Sequence, residues 1–282
     1  RLRYYYKWPG HGKRLWKRLR YFPTRRTVLK FRGEYNPKTL RREKTIVDKR
    51  PIWWMLGFIA LMLVPFVLPD GNQRVLLSAA AVFSIYAAIN LCWMLVIGTA
   101  GIYSLATYAI VGAGAYGSAY LSIHFGLPIP LMLLAGGLIG LVFGILIAIP
   151  AIRLEGFYYA LLTLGIVELC RVYIIQSKAF GSEIGGLYGA ASYIPESWDE
   201  FDQLRLGYYA AATVLVAALI LFRFINGKRL GRVLRMAPEK REAFAEATGV
   251  NYRFARIQVF LISSIALGVI GAFYATHFRG AS

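Results

Sequence analysis

The sequence predicts an all-α fold, a polytopic bundle of membrane-spanning helices, and three observations carry that prediction. Of the 282 residues, 57% are hydrophobic and only 17% charged, where a soluble globular domain carries about 25% charged residues. Several uninterrupted apolar runs approach or reach the roughly 20 residues a helix needs to cross a hydrocarbon core about 30 Å thick. The charges gather mainly between those runs, with opposite signs at alternate connections.

Taken in order, the chain first offers a basic segment, residues 1–50. It holds 18 Lys and Arg against Glu34, Glu43 and Asp48, and so most of the net charge of +19. Because the block abuts the first apolar run, it reads as a cytoplasmic, orientation-fixing anchor with affinity for anionic lipid rather than as a nucleic-acid surface. Its interleaved rings, among them Tyr4, Trp8, Trp16 and Tyr21, suit the headgroup level of a bilayer. The transmembrane domain, residues 51–282, then predicts about seven spans: 52–69, 74–97, 105–123, 127–149, 157–175, 207–225 and 257–276. Pro150 is expected to close the fourth. Between the second and third spans, residues 98–104 (GTAGIYS) are too small and glycine-rich for a plain helix. They read as a broken segment, tolerable at membrane depth only if protein or a water-filled cavity covers its backbone.

With the amino terminus inside, the loop 176–206 falls outside and is acidic, with Glu183, Glu196, Asp199, Glu200 and Asp202 against Lys178 and Arg205. The loop 226–256 falls inside and is basic, with Arg and Lys at 228, 229, 232, 235, 240, 241, 253 and 256, and the alternation obeys the positive-inside rule. Within that inner loop Ala237-Pro238 starts a short helix, since Pro is tolerated at the first helical position and Glu239 and Glu242 suit the positive end of its dipole. Gly249 ends it. Its apolar side, Ala243, Phe244 and Ala247, is small, and a helix of about eleven residues is marginal alone in water, so it needs another surface to dock on.

Few residues carry chemistry. Gly112, Gly114 and Gly117 match G-x-G-x-x-G, but without a preceding strand or a βαβ unit the match reads as helix packing. Gly136, Gly140 and Gly144 repeat at four-residue spacing, the pattern that lets helices approach closely in lipid, and read as an interface within the chain or between subunits. His11, His124 and His277 are scattered, no metal-ligand spacing appears and no phosphate loop is present, so the chain is not expected to be an enzyme or to hold a metal. Cys92 and Cys170 both lie in apolar runs and imply no disulfide framework. Charges inside spans say more, because each costs about 2.5 to 3.5 kcal/mol at a helix centre. Glu168 and Arg171, three residues apart, can pair on one helix face; Asn90, Tyr159 and Thr163 are weaker polar candidates for a translocation path.

Five segments occur in order across residues 52–277: Asn90-Leu91, GTAGIYSLATYAIVGAGAY (98–116), RLEGFYYALLTLGIVEL (153–169), GGLYG (185–189) and the loop 231–260. Together they resemble a known family, the transmembrane permease subunits of branched-chain amino acid ABC importers. Ile184 stands where that family commonly has Thr, and residues 1–50 have no counterpart in it. Its members continue with at least one more span and a Gly-rich region, whereas this sequence stops at Ser282, so either the sequence is incomplete or the protein is truncated relative to that family. The resemblance implies a subunit of a bacterial inner (plasma) membrane importer that translocates branched-chain or related small amino acids, with urea or short amides as alternative cargo. It implies no cofactor on this chain, since ATP and Mg would sit on partners: cytoplasmic ATPase subunits, beside a second homologous permease and an external binding protein. The inner-loop helix then becomes a coupling helix, with Pro238, Glu242, Ala243, Phe244, Glu246 and Gly249 against the ATPase. An ion-coupled secondary transporter, with Glu168 and broken helices at the ion site, is the competing class; a non-transporting scaffold is a third.

Overall fold

The computed structural model describes Gly57, Pro65 and residues 73–151, 154, 156–180, 185–195, 197–228, 230, 231, 234 and 252–281. The chain divides into two units, Arg1–Leu61 and Met62–Ser282, and the second holds all of the described helices named here. The basic segment, nearly all of the first expected span and the coupling residues Pro238 to Gly249 lie outside the described residues.

Six α-helices are described: α1 (Gln73–Met94), running on into a π-turn (Leu95–Thr99), α2 (Thr107–Phe125), α3 (Ile129–Ala151), α4 (Phe157–Gln176), α5 (Glu200–Gly227) and α6 (Tyr252–His277). A 3₁₀ turn (Lys178–Phe180) follows α4, and β1 (Leu187–Tyr188) pairs antiparallel with β2 (Gly280–Ala281). Five of the helices, all but α2, are long and apolar enough to cross a membrane. α2 has the length, but its glycines, serines and tyrosines lower its hydropathy. Nine of its residues, from Thr107 to Ser122, are buried, so packed helices rather than lipid cover much of it.

Small residues decide the packing. α6 lies against both α2 and α3, while α1 lies against α5. A β-carbon on Gly140 would come 2.5 Å from the Ser264 carbonyl oxygen, one on Gly136 2.5 Å from the Ala272 β-carbon, and one on Gly144 2.5 Å from the Ser264 β-carbon. The glycine stripe of α3 therefore meets Ser264, Gly268 and Ala272, a matching four-residue stripe on α6, inside this one chain. Gly114 of α2 approaches Gly268 as well, since a β-carbon on it would come 2.5 Å from the Gly268 carbonyl oxygen. Gly268 is thus clasped between two backbones, a closeness that only glycine permits. Gly112 takes no part, since a β-carbon there would meet nothing within 4 Å.

Three boundaries differ from the sequence reading. α5 begins at Glu200 rather than at residue 207, because its first two turns, EFDQLRL, are polar and invisible to an apolar window. Glu200 and Asp202 in its first turn favour a helix start by complementing the dipole. α6 begins at Tyr252 rather than at residue 257 for a similar reason: its opening turns carry Arg253 and Arg256. Pro150 does not close α3; it sits in the last turn, and its carbonyl accepts the Leu154 N–H at 2.9 Å.

Candidate functional site

Between Thr99 and Thr107 the chain leaves the helix inside the bundle. The π-turn opens the break with an i+5 bond, Ala100 N–H to the Leu95 carbonyl at 3.0 Å, and Ile102 N–H then reaches the Val96 carbonyl at 3.1 Å. Gly101 takes a left-handed φ of +66°, which glycine adopts without steric cost. From there the backbone relies on other elements. Leu105 N–H donates to Thr163 Oγ1 on α4 at 3.0 Å, and the Ser104 carbonyl accepts from Trp93 Nε1 on α1 at 3.2 Å. The Ala100 and Gly101 carbonyls accept from Arg256 Nε and Nη2 on α6, at 2.9 and 2.8 Å. Thr99 Oγ1 bonds Asn226 Oδ1 on α5 at 3.0 Å. Three helices therefore supply what the broken backbone lacks, the condition for irregular chain at membrane depth, and a side-chain bond from Thr99 ties in a fourth. Thr163 lies six residues into α4, about 9 Å along the helix at 1.5 Å per residue, so the break sits well inside the bundle.

α4 divides into two faces. Among its residues only Tyr159 and Thr163 are buried. The Tyr159 hydroxyl donates to the Ile147 carbonyl of α3 at 3.0 Å, and Thr163 Oγ1 donates to the Ala160 carbonyl at 2.9 Å. Glu168 follows Thr163 by five residues, a turn of about 140° around the axis at 3.6 residues per turn. It pairs with Arg171 at 3.1 Å, and the two side chains are 59% and 66% exposed. An ion pair thus stands on the open side of an apolar helix. Beside it α2, α3, α4 and Phe180 enclose a groove of about 520 Å³, lined by Tyr108, Gly112, Tyr116, Phe143, Cys170, Arg171 and Tyr173 among others. That size lies within the range of small-molecule sites. A second cavity, of about 30 Å³ beside Tyr159 and Arg256, has room for little more than a water molecule.

The opposite end of the bundle is strapped. The β1–β2 pair ties the loop after α4 to the chain just past α6. Ala191 N–H donates to Ser122 Oγ of α2 at 3.1 Å, and the Tyr193 hydroxyl meets His277 Nδ1 at 2.6 Å while its ring stacks on Phe273. Burial pushes the Tyr193 phenol above its ordinary pKa, so it stays protonated and can donate that bond. At the same end Arg74 bonds Glu200 at 2.9 Å and lies over the Phe201 ring.

The five path candidates are not brought together. Tyr159 and Thr163 face the chain's own bundle, Glu168 and Arg171 lie on the open side of α4, and Asn90 is exposed on α1. Sequence reasoning missed Arg256, counted there only among loop charges, and Asn226 and Trp93 altogether. One signal was available: a break such as GTAGIYS leaves carbonyls that some donor must reach.

A family model described as branched-chain amino acid transport system / permease component matches residues 75–282. Two relatives are the high-affinity branched-chain amino acid transport system permease proteins LivM of Escherichia coli K12 and of Salmonella typhimurium LT2. Each is 25% identical over 257 residues, which covers 82% of this chain and 59% of the relative. The chain therefore spans about three-fifths of the length of these relatives. No solved structure gives a significant match.

Proposed function

The chain belongs to the family of branched-chain amino acid transport system permease components and is a multi-pass membrane protein; from that premise we propose that it is one permease subunit of an ATP-driven importer of branched-chain or related small amino acids. The observation that carries this reading is the match over residues 75–282, which takes in both the break and α4. Orientation follows from charge. Lys228, Arg253 and Arg256 sit at one end of the bundle, while Glu200 and Asp202 sit at the other, so the basic end is cytoplasmic, and membership of this family favours the inner (plasma) membrane. ATP and Mg belong to partner subunits that dock on segment 238–249, expected from the sequence to be a short helix, and an external binding protein meets the strapped end.

In this reading the open side of α4 faces a second permease subunit, and the path runs between the two. Each charge of the Glu168–Arg171 pair would cost about 2.5 to 3.5 kcal/mol against lipid at a helix centre, which favours water or protein over lipid on that side. Import proceeds by alternating access, with nucleotide-driven movement of the docking helix opening the path first outward and then inward.

The test is to tag this chain, isolate its native assembly, reconstitute it in liposomes and follow radiolabelled leucine. ATP-dependent uptake with ATPase subunits co-purifying is the expected result. Uptake driven by an ion gradient without nucleotide would replace this reading with the secondary transporter, which the helix break and Glu168 also suit. ATP-dependent uptake of urea or acetamide but not of leucine would change the cargo alone.

A further inference from the structure

Arg256 lies four residues into α6, immediately beyond the loop that the proposed function places against the ATPase. A cation so near a helix amino terminus opposes the local dipole, whereas one at a carboxyl terminus is favoured there. Arg256 reaches from the first setting to the second. Its Nε and Nη2 hold the carbonyls of Ala100 and Gly101 at 2.9 and 2.8 Å, just past the π-turn, where the chain no longer supplies regular helical donors. Two donors of one planar fork on two successive carbonyls fix orientation as well as distance, which a lysine ammonium cannot do. Beyond Gly101, the left-handed and most compliant point of the break, Leu105 N–H is held by Thr163 on α4 at 3.0 Å.

We propose that Arg256 is a positioning residue of the transport cycle: it passes displacement of the first turn of α6, through the break at residues 100–105, to Thr163 and so to α4. The proposal rests on the reading of this chain as an ATP-driven permease, and it adds the route by which the docking helix moves the path-lining helix. The route is short and continuous. It comprises one turn of α6, two carbonyls, a glycine and one hydroxyl.

The test uses the native assembly, purified through a tag on this chain, and two readouts. The first is leucine uptake per ATP hydrolysed. In R256Q it is expected to fall at least about fivefold while ATP hydrolysis continues, with partial recovery in R256K. T163V is expected to fall in the same direction, and the double variant to be no worse than the more severe single one, because both cut one route. The second readout needs no cargo: spin labels at Tyr103 and Leu164, both exposed positions, are expected to change separation when a non-hydrolysable ATP analogue is added to the wild type and to lose that response in R256Q. An unchanged uptake-to-hydrolysis ratio, a nucleotide response that survives R256Q, or losses that multiply in the double variant would each overturn the proposal. Where R256Q fails to assemble, R256K and T163V decide by the same measures. A wild-type assembly that responds to nucleotide but carries no leucine fails the cargo assignment and leaves this inference to the spin labels.

Discussion

α6 and α4 are both apolar helices long enough to cross a membrane, yet 67% of the most apolar stretch of α6 is buried in the bundle against 11% of that of α4. The difference comes from small residues rather than from hydropathy. α6 presents Ser264, Gly268, Gly271 and Ala272 to its neighbours, so backbones on two sides come into contact with it. α4 presents Phe157, Tyr158, Leu161, Leu164, Leu169 and Tyr173 outward, and among the described residues the Tyr159 phenol and the Thr163 hydroxyl bond it to other elements. In lipid, where apolar surface gains nothing by leaving the tails, close backbone approach decides which helix is scaffold. The helix without it keeps a free side, and that side carries the ion pair.

The same small substitution separates the two helices most sharply. Gly268→Ala drives a methyl group into the backbone of Gly140, 2.8 Å from its α-carbon, and is expected to destabilise the protein by about 1 to 3 kcal/mol, the usual cost of overpacking. Gly165→Ala on α4 meets nothing within 4 Å and is expected to be neutral or to stabilise by up to about 1 kcal/mol. Thermal unfolding of both variants in detergent measures the contrast, and equal melting shifts would erase it. Next in size is Tyr159→Phe, which removes the 3.0 Å bond from α4 to the Ile147 carbonyl and is expected to cost about 1 kcal/mol. If α4 held by its apolar surface alone, that variant would unfold with the wild type.

Smallest in stability, and largest in meaning, is the pair on the open side. Replacing Glu168 and Arg171 by Gln together leaves no orphan charge, and with both side chains more than half exposed stability is expected to shift by no more than about 0.5 kcal/mol. Leucine uptake by the native assembly is expected to fall. Uptake at the wild-type level would remove the pair from the path.

Hydropathy placed the spans within a few residues wherever a helix was apolar from end to end, as with α3 and α4. It failed at the opening turns of α5 and α6, whose acidic and basic residues stabilise helix ends or reach other helices instead of facing lipid. The glycines of GTAGIYS announced a break, and the spacing of Gly136, Gly140 and Gly144 announced close packing. Their partners were not legible: Arg256 lies 155 residues or more beyond the carbonyls it holds. Local composition carries no trace of such a contact. The two faces of α4 were equally hidden, because a near-uniform apolar helix does not say which side its neighbours take. Polar candidates chosen by type therefore divided between the interior, at Tyr159 and Thr163, and the open side, at Glu168 and Arg171.

The protein carries its own probes for the central contrast. Cys92 is fully buried on α1, whereas Cys170 lies on α4 and lines the groove beside Arg171. A water-soluble, membrane-impermeant maleimide applied to the native assembly in sealed vesicles, followed by mass mapping of both thiols, tests whether the groove between α4 and its neighbours α2 and α3 meets an aqueous path. The account predicts that Cys170 is labelled at a rate that changes when ATP is supplied, while Cys92 stays unmodified. Cys170 as inert as Cys92, with and without nucleotide, would contradict it and close the groove beside α4 to water.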